Sequence, residues 1–149
     1  MKPIRRLDHI AIAVRDTQTA IARFTQGYGL EMVVSEVIER PHVRLTYIDC
    51  GNCYIQLVEP LDSDGPIAEF LDELGEGLHH ICFGVDDVVA GATALAADGS
   101  APAAVGSGRG RPAAFVAGDL PCGVRVEVTE FDRDADVEQL RGWLPPTGD

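Results

Sequence analysis

The sequence predicts an α+β fold in which two paired βαβββ modules form one eight-stranded sheet curled around a cleft. The main observation is an internal repeat. Residues 7–16 and 77–87 share the order apolar residue, polar residue, histidine, alternating apolar strand and aspartate, which indicates two copies of one structural unit. A second observation is the pair Gly51-Asn52, which has the composition of a two-residue hairpin turn between two strand-like segments. Repeat and hairpin together predict a mostly antiparallel sheet.

The chain of 149 residues is long enough for one well-formed core. No run approaches the ~20 consecutive apolar residues that a membrane-spanning helix needs, and no signal peptide precedes the first strand. A cytoplasmic location is therefore expected. We predict a single domain with three parts: module one over about residues 6–76, module two over about 77–131 and a C-terminal tail over 132–149.

The formal net charge of −12 argues against two classes of partner. A surface this acidic repels nucleic acid and anionic membranes, so neither is expected to bind. A small molecule is the expected partner. If that molecule is an anion, it needs a local group of positive charges.

Module one is predicted from its periodicity and its turn residues. Residues 6–14 alternate, with His9 and Ala11 on one face, as in a strand with one covered face. Asp16 has the side chain of an N-cap and begins a helix that runs to about Tyr28. The remaining elements are strands over 31–39, 42–50 and 53–60 and a helix over about 66–74.

The two-residue turn fixes the pairing of the strands on either side of it. Tyr47 then faces Gln56, and Leu45 faces Val58. Directly opposed side chains share a face of the sheet, so Leu45, Tyr47 and Gln56 point to the same side. The other side carries the apolar set that helices should cover: Ile48, Ile55 and Leu57.

Module two repeats this pattern. Its strand over 79–85 contains His80, and Asp86 or Asp87 caps an alanine-rich helix that runs to about Asp98. Further strands are predicted near 101–105, 112–117 and 123–131.

Residues 106–111 form a glycine-rich segment. It is not a phosphate-binding loop, because it lacks the Lys-Ser/Thr ending and leads into a strand. We expect a mobile hairpin or lid. Its Arg109 and Arg111 are the most concentrated positive charge in the chain, which makes Arg111 a candidate for substrate binding.

Four positions are equivalent in the two modules and carry side chains that bind metals. His9 and His80 occupy the same place in the repeat, and Gln56 and Glu127 lie at matching positions in the closing strands. Two imidazoles, one amide oxygen and one carboxylate suit a divalent first-row metal ion, with two coordination positions left for water or substrate. The predicted ligands are therefore His9, Gln56, His80 and Glu127. Cobalt, manganese, nickel, iron and zinc all suit this donor set.

Four segments carry the pattern of a known family: Leu-Asp-His-Ile-Ala-Ile-Ala-Val (7–14), Ile-Gln-Leu-Val-Glu-Pro-Leu (55–61), Ser-Asp-Gly-Pro-Ile-Ala-Glu-Phe-Leu (63–71) and Gly-Glu-Gly-Leu-His-His-Ile-Cys-Phe (75–83). Through them the region from about residue 6 to 130 resembles the vicinal oxygen chelate superfamily (glyoxalase/bleomycin resistance/dioxygenase). Within that superfamily it is most similar to the methylmalonyl-CoA epimerases.

The resemblance implies a metal-dependent epimerase or racemase that acts through an enolate on methylmalonyl-CoA or a related acyl-CoA. It places the family's metal ligands at His9, Gln56, His80 and Glu127, and it implies a cleft inside one chain and a homodimer. In such a site the metal acts as a Lewis acid and a carboxylate moves the α-proton. Glu127 is the acidic residue that we place in the cleft, so it is expected to serve as ligand and as catalytic acid/base.

Some positions depart from the epimerase pattern. Some family members carry a glutamate, proposed as a base, at the position of Leu45. The family's usual His-Pro-Lys is replaced at residues 117–119 by Ala-Gly-Asp, which removes a lysine that could meet a CoA phosphate. Arg125 stands where the family usually has an aliphatic residue, and it could bind a substrate carboxylate or pair with Glu127. Tyr47 could donate a hydrogen bond or fill space, and with Leu45 it is a candidate substrate contact.

Other functions stay open at this level. Another isomerase or lyase of the superfamily could act on a smaller carboxylated substrate held by Arg125. A non-catalytic small-molecule (antibiotic) binding protein is a different class, but that group usually lacks the metal ligands. A ring-cleaving dioxygenase normally uses two histidines and one glutamate, without an equivalent of Gln56.

Overall fold

The computed structural model describes residues 3–144 and confirms the predicted α+β fold. Residues 145–149 of the predicted tail lie outside the described residues. The strands form one eight-stranded sheet in the order β2-β3-β4-β1-β5-β8-β7-β6. The elements are, in chain order, β1 (Ile4–Ala13), α1 (Thr17–Ala22, continued by a π-helical turn over Arg23–Gly27), β2 (Glu31–Glu39), β3 (His42–Asp49), β4 (Tyr54–Pro60), α2 (Pro66–Leu74), β5 (Gly77–Val85), α3 (Val88–Leu95), β6 (Gly106–Gly108), β7 (Arg111–Phe115), a 3-10 turn (Pro121–Gly123), β8 (Val126–Glu130) and α4 (Arg133–Trp143).

The sheet contains the order β-α-β-β-β twice. The pairs β1–β4 and β5–β8 are parallel, and the other neighbouring strands are antiparallel. β1 and β5 lie side by side at the centre of the sheet and run in opposite directions. The two histidines of the sequence repeat therefore come from neighbouring strands.

Polar caps begin the helices where the sequence predicts them. The carboxylate of Asp16 accepts hydrogen bonds from the backbone N–H groups of Gln18 and Thr19, and Asp87 accepts one from Ala90. These bonds satisfy N–H groups that have no partner inside the helix. Among residues 3–144, no helix is long and apolar enough to span a membrane.

One predicted strand of module two is wrong. Residues 101–105 are irregular, and the short strand β6 begins at Gly106. Pro102 explains the difference, because proline has no N–H to give to a strand ladder. The helix α3 ends at Leu95 and β8 begins at Val126, so both elements are shorter than predicted.

The glycine-rich segment 106–111 is a β-hairpin. β6 and β7 are joined by the two-residue turn Arg109-Gly110, whose φ angles are 55° and 71°. Positive φ at both central positions is typical of the type I′ turn, which matches the twist of paired strands. Gly110 adopts a positive φ without steric cost. For Arg109 the same conformation is unfavourable, so contacts made by the side chain of Arg109 must hold it there.

Two apolar layers hold the sheet from opposite sides. Ile48 and Leu57 are fully buried with Val14 beside α1, so the face that we expected helices to cover is confirmed. The opposite face packs with α2 through a second cluster: Ala11, Ala13, Val43, Leu45, Tyr47, Val58, Ile67 and Leu71. Burial of each large aliphatic side chain contributes about 1.5–3 kcal/mol, so both layers fix the position of β3 and β4.

Three register shifts interrupt the pairing of β1 with β5, and two of them are β-bulges at the histidines of the repeat. In β1 the extra residue is Asp8 and in β5 it is His79, each directly before the histidine of the repeat. Successive residues of a regular strand point to opposite faces, whereas a bulge re-aims a side chain. The bulges therefore let Asp8 lie beside His9, and His79 beside His80, with all four residues buried.

The tip of the β6–β7 hairpin reaches the far end of the sheet. The backbone N–H of Arg109 donates to Oε1 of Glu36 in β2 at 2.6 Å, although β2 and β6 are the two edge strands. Gly108 lies so close to β3 that a Cβ at this position would be 2.6 Å from the hydroxyl oxygen of Tyr47. The sheet therefore curls until its two ends meet, and it encloses a cavity.

Candidate metal site and cavity

The four predicted ligands come from the four central strands and line one cavity. Nε2 of His9 lies 3.3 Å from Oε1 of Glu127, and Nε2 of His80 lies 3.5 Å from the same oxygen. The two imidazole centroids are 5.5 Å apart. Donor atoms of His9, His80 and Glu127 all lie within 4.8 Å of one another, a separation that one metal ion can bridge.

The donor atoms themselves show that a cation fits this place. Nε2 of His9, Nε2 of His80 and Oε1 of Gln56 are buried and have no hydrogen-bond partner among the described residues. Buried acceptors without partners cost about 1–3 kcal/mol each. Two imidazole nitrogens, one amide oxygen and one carboxylate suit divalent first-row metals. Their ligation of a metal stays a prediction.

His9 is oriented by a carboxylate behind it. Its Nδ1–H donates to Oδ1 of Asp8 at 2.7 Å, which leaves the lone pair on Nε2 free for a metal. Burial opposes ionisation of Asp8, but the hydrogen bond from His9 and the charge of Arg109 outweigh it and hold the pKa of Asp8 at about 2. Burial also opposes protonation of His9, but the hydrogen bond with Asp8 and the nearby negative charge of Glu127 raise the pKa of this histidine.

His80 is oriented by another histidine. Its Nδ1 lies 2.8 Å from Nδ1 of His79, so one ring donates and the other accepts. Burial, together with the nearby charges of His80 and Arg125, lowers the pKa of His79 to about 4, and neutral His79 can accept the proton shared with His80. Burial also lowers the pKa of His80. Its Nε2 therefore keeps the lone pair that a metal ligand needs.

Glu127 and Gln56 complete the donor set. Burial favours the neutral acid of Glu127, but the close approach of the His80 and His9 imidazoles, at 3.5 and 3.3 Å, outweighs it and holds the pKa of Glu127 below its usual range. Nε2 of Gln56 donates to the hydroxyl of Tyr47 at 2.8 Å, which identifies Oε1 as the free end of the amide. Burial raises the pKa of Tyr47, so its hydroxyl stays protonated.

A second cluster of possible donors lies behind the first one and contains Asp8, His9 and Cys82. Oδ1 of Asp8 already accepts hydrogen bonds from His9 and Arg109. Burial raises the pKa of Cys82 well above its usual value, so its sulfur is a protonated thiol and not a thiolate ligand. These contacts favour the cluster that faces the cavity.

The cavity has a volume of about 640 Å³, within the range of small-molecule sites. Its walls are mostly apolar side chains of β3, β4, β7 and α2. Leu45, Tyr47 and Arg125 are among the residues that line it. Among the described lining residues, Glu127 is the only carboxylate.

The two candidate arginines are placed differently. Arg125 lines the cavity, and its Nη1 donates to the backbone oxygen of His79 at 3.1 Å. Within residues 3–144 it forms no ion pair with Glu127 or another carboxylate. Arg111 does not line the cavity, and its Nη1 lies 3.0 Å from the carboxylate of Asp136 in α4. The structure therefore places Arg125, and not Arg111, where a substrate can reach it.

Sequence reasoning missed the residues behind the ligands. Asp8, His79 and Arg109 support the two imidazoles, and none was a predicted site residue. A signal for two of them was present, because the repeat aligns Asp8 with His79 and both directly precede a histidine. No local pattern pointed to the contact of Arg109 with Asp8, since it joins residues 101 positions apart.

Fold and site together define a class of proteins in which paired βαβββ modules present two histidines, an amide and a carboxylate to one cavity. A family model described as the Glyoxalase/Bleomycin resistance protein/Dioxygenase superfamily matches residues 8–117. The chain belongs to this superfamily.

Similar proteins include methylmalonyl-CoA epimerases. The human mitochondrial enzyme is 40% identical over 86 residues, which cover 56% of this chain and 48% of the relative. The ethylmalonyl-CoA/methylmalonyl-CoA epimerase of Cereibacter sphaeroides is 38% identical over 88 residues, which cover 58% of this chain and 66% of the relative. The matched region thus spans about half to two thirds of the length of these curated relatives.

A solved structure gives the same similarity in three dimensions. Methylmalonyl-CoA epimerase of Streptomyces coelicolor, in complex with 2-nitronate-propionyl-CoA, superimposes with a TM-score of 0.76 at 31% identity. The superposition covers 85% of this chain and 97% of that one.

Proposed function

We propose that this chain is a metal-dependent epimerase that acts on methylmalonyl-CoA or a closely related acyl-CoA. The proposal is carried by the convergence of four donor side chains, three of them with buried unpartnered atoms, on one cavity. His9, Gln56, His80 and Glu127 would hold the metal. A divalent cation held there supplies Lewis-acid stabilisation of negative charge on the substrate oxygens.

Glu127 is the group that moves the proton in this proposal. It is the one carboxylate among the described cavity-lining residues, and the nearby imidazoles of the two histidines keep it ionised. An ionised carboxylate beside the α-carbon accepts the α-proton from one face, and the planar enolate that remains must present its other face before the same carboxylate returns the proton. Leu45, which is 8% exposed in the cavity wall, offers no second carboxylate, so in this proposal the enolate turns over beside Glu127 between the two transfers.

Two arginines of the cavity wall supply the positive charge that an anionic substrate needs. Partly buried Arg125 has no carboxylate partner in the described chain, and it holds the free carboxylate of the substrate. Arg40, in the turn between β2 and β3, is exposed at the cavity and lies where the anionic part of a CoA can meet it. Arg125→Leu should raise the KM for methylmalonyl-CoA about tenfold or more, because a hydrogen bond to a charged group contributes about 1.5–3 kcal/mol.

The test is exchange of the α-proton of methylmalonyl-CoA in heavy water, followed by NMR with cobalt-loaded protein. We expect exchange that stops when a chelator removes the metal. His80→Ala is the matched control, since it removes one predicted ligand and leaves the apolar side chains of the cavity wall in place. Absence of exchange at full metal occupancy would rule out the epimerase.

A smaller carboxylated substrate is the second candidate, because the unpaired Arg125 would hold the carboxylate of a small acid as readily as that of a thioester. Comparison of methylmalonyl-CoA with free methylmalonate separates the two. If the epimerase proposal is correct, only the thioester exchanges its α-proton rapidly. Exchange of the free acid at a comparable rate would favour an isomerase or lyase for small carboxylates.

We also expect a homodimer and a cytoplasmic location for the active protein. Light scattering on the purified chain measures its mass in solution. A mass twice the 15.9 kDa of one chain would agree with the homodimer, and a monomer would contradict it.

A further inference from the structure

Arg109 at the tip of the β6–β7 hairpin is a buried cation that the proposed reaction does not use. Its side chain is 10% exposed, and its guanidinium lies 4.6 Å from the ring centroid of Tyr47 and 4.8 Å from that of Tyr54. Burial of a charge is costly unless the charge is paired. The pairing group is Asp8, whose Oδ1 accepts a hydrogen bond from Nη2 of Arg109 at 2.5 Å.

The same oxygen of Asp8 orients a candidate metal ligand. Oδ1 also accepts the Nδ1–H of His9 at 2.7 Å, and Asp8 is fully buried. Its Oδ2 has no hydrogen-bond partner among the described residues, and Nη1 of Arg111 lies 4.0 Å from it. The direction of the His9 ring therefore depends on Asp8, and the position of Asp8 depends on Arg109.

The hairpin tip also contacts Tyr47, the residue that orients Gln56, the second predicted ligand of module one. Gly108 packs against the hydroxyl of Tyr47, and this hydroxyl accepts the hydrogen bond from Gln56. Arg109 and its neighbour Gly108 thus contact Asp8 and Tyr47, the two residues that orient His9 and Gln56. The anchor of this tip on β2 is the hydrogen bond from the Arg109 backbone to Glu36.

We infer that Arg109 is a positioning residue for the candidate metal site: it seats the β6–β7 hairpin on module one and holds Asp8 against His9. This inference depends on the proposed metal-dependent function. Partners that orient a metal ligand typically change metal affinity by about 10–100-fold. The effect belongs to the module-one half of the site, because His80 is oriented by His79 from its own strand.

The test measures cobalt affinity of the full chain by calorimetry, together with the visible spectrum of bound Co²⁺, which reports the arrangement of its ligands. Arg109→Met should weaken cobalt binding about tenfold or more and change the spectrum. Arg111→Met is the matched control. It removes a neighbouring arginine that is 13% exposed, pairs with Asp136 and approaches Asp8 only to 4.0 Å, but it leaves the hydrogen bond between Arg109 and Asp8 intact, so an affinity close to that of the wild type is expected.

A double-mutant cycle shows whether Arg109 acts through Asp8. Residues that act through one another have non-additive effects. In the Asp8→Asn background, Arg109→Met should therefore change cobalt affinity little. A further full tenfold loss in that background would overturn the inference.

The outcomes separate this inference from the proposed function. If the wild-type chain binds no cobalt, both fail. If it binds cobalt and Arg109→Met binds as tightly as Arg111→Met, this inference alone is overturned. If Arg109→Met does not fold, Glu36→Ala replaces it, because it removes the anchor of the hairpin tip at a partly buried position. Faster hydrogen exchange in β6–β7 with weaker cobalt binding is expected, and unchanged affinity would contradict the inference.

Discussion

The two halves of the candidate metal site occupy equivalent positions in the two modules but are held in different ways. In module one, His9 is oriented by a charged pair, Asp8 with Arg109, and the arginine comes from the other module. In module two, His80 is oriented by neutral His79 from its own strand. The pKa of His9 is raised and that of His80 is lowered, so equivalent backbone positions give electrostatically different ligands.

This difference shows that a repeated fold fixes where the candidate ligands lie but not which residues orient them. The two bulges are equivalent in position, since each puts an extra residue directly before a histidine. The residue inserted there is an acid in one copy and an imidazole in the other. A buried acid needs a cation, and the hairpin tip of module two provides one. A buried neutral imidazole has no such requirement.

The largest effect is expected when either histidine is removed, because the two histidines occupy equivalent positions in the two halves of the site. His9→Ala and His80→Ala each remove one of four donors, so each should weaken cobalt binding at least about 100-fold, the upper range for residues that only orient a ligand. Calorimetric titration measures both affinities, and circular dichroism checks that the fold is retained. Tight binding by only one of these variants would show that the halves do not contribute equally.

The next effect tests the supporting residues. Asp8→Asn leaves Arg109 as a buried charge without its partner, so it should lower the free energy of unfolding by about 3–5 kcal/mol. His79→Gln replaces one neutral hydrogen-bonding group with another, and about 1 kcal/mol is expected. Urea denaturation of both variants gives the two values. Equal losses would mean that charged Asp8 and neutral His79 contribute equally to the free energy of unfolding.

A smaller effect tests the dependence of module one on the hairpin tip. Gly108→Ala places a methyl group 2.6 Å from the Tyr47 hydroxyl, and such overpacking costs about 1–3 kcal/mol. Gly106→Ala in the same strand meets only the backbone oxygen of Ala113 at 4.0 Å, so a change within about 0.5 kcal/mol is expected. Thermal melts compare the two alanines. A destabilisation as large at 106 as at 108 would remove the steric explanation.

The smallest effect concerns module two alone. The ring of Phe115 packs edge-on against His80 with centroids 5.0 Å apart, and Phe115 is 42% exposed. Phe115→Leu should lower the free energy of unfolding by less than about 1.5 kcal/mol, the upper value for an aromatic pair. Denaturant titration gives this value, and cobalt affinity should follow it only weakly. A loss of affinity as large as that of Asp8→Asn would show that aromatic packing supports His80 as strongly as the charged pair supports His9.

Much of the sheet was predictable from the sequence because its signals are local. The turn Gly51-Asn52 and the period of two fixed the register of β3 with β4, and the structure pairs Tyr47 with Gln56 and Leu45 with Val58 as predicted. The position of β6 and the role of Arg109 were not predictable in this way, and the repeat marks Asp8 and His79 without showing that bulges place them beside the histidines. A bulge adds one residue without a local signal, and the contact between Arg109 and Asp8 forms only when distant strands have curled together.

The contacts of the hairpin tip also set an order of events in synthesis. Arg109 meets Glu36 and Asp8 across 73 and 101 positions of the chain. Contacts this distant in sequence form slowly, because a long loop must close first. During translation the first module can emerge and collapse, but its half of the donor set stays unsupported until residue 109 has left the ribosome. We therefore expect the proposed metal to bind only after the hairpin tip has been synthesised.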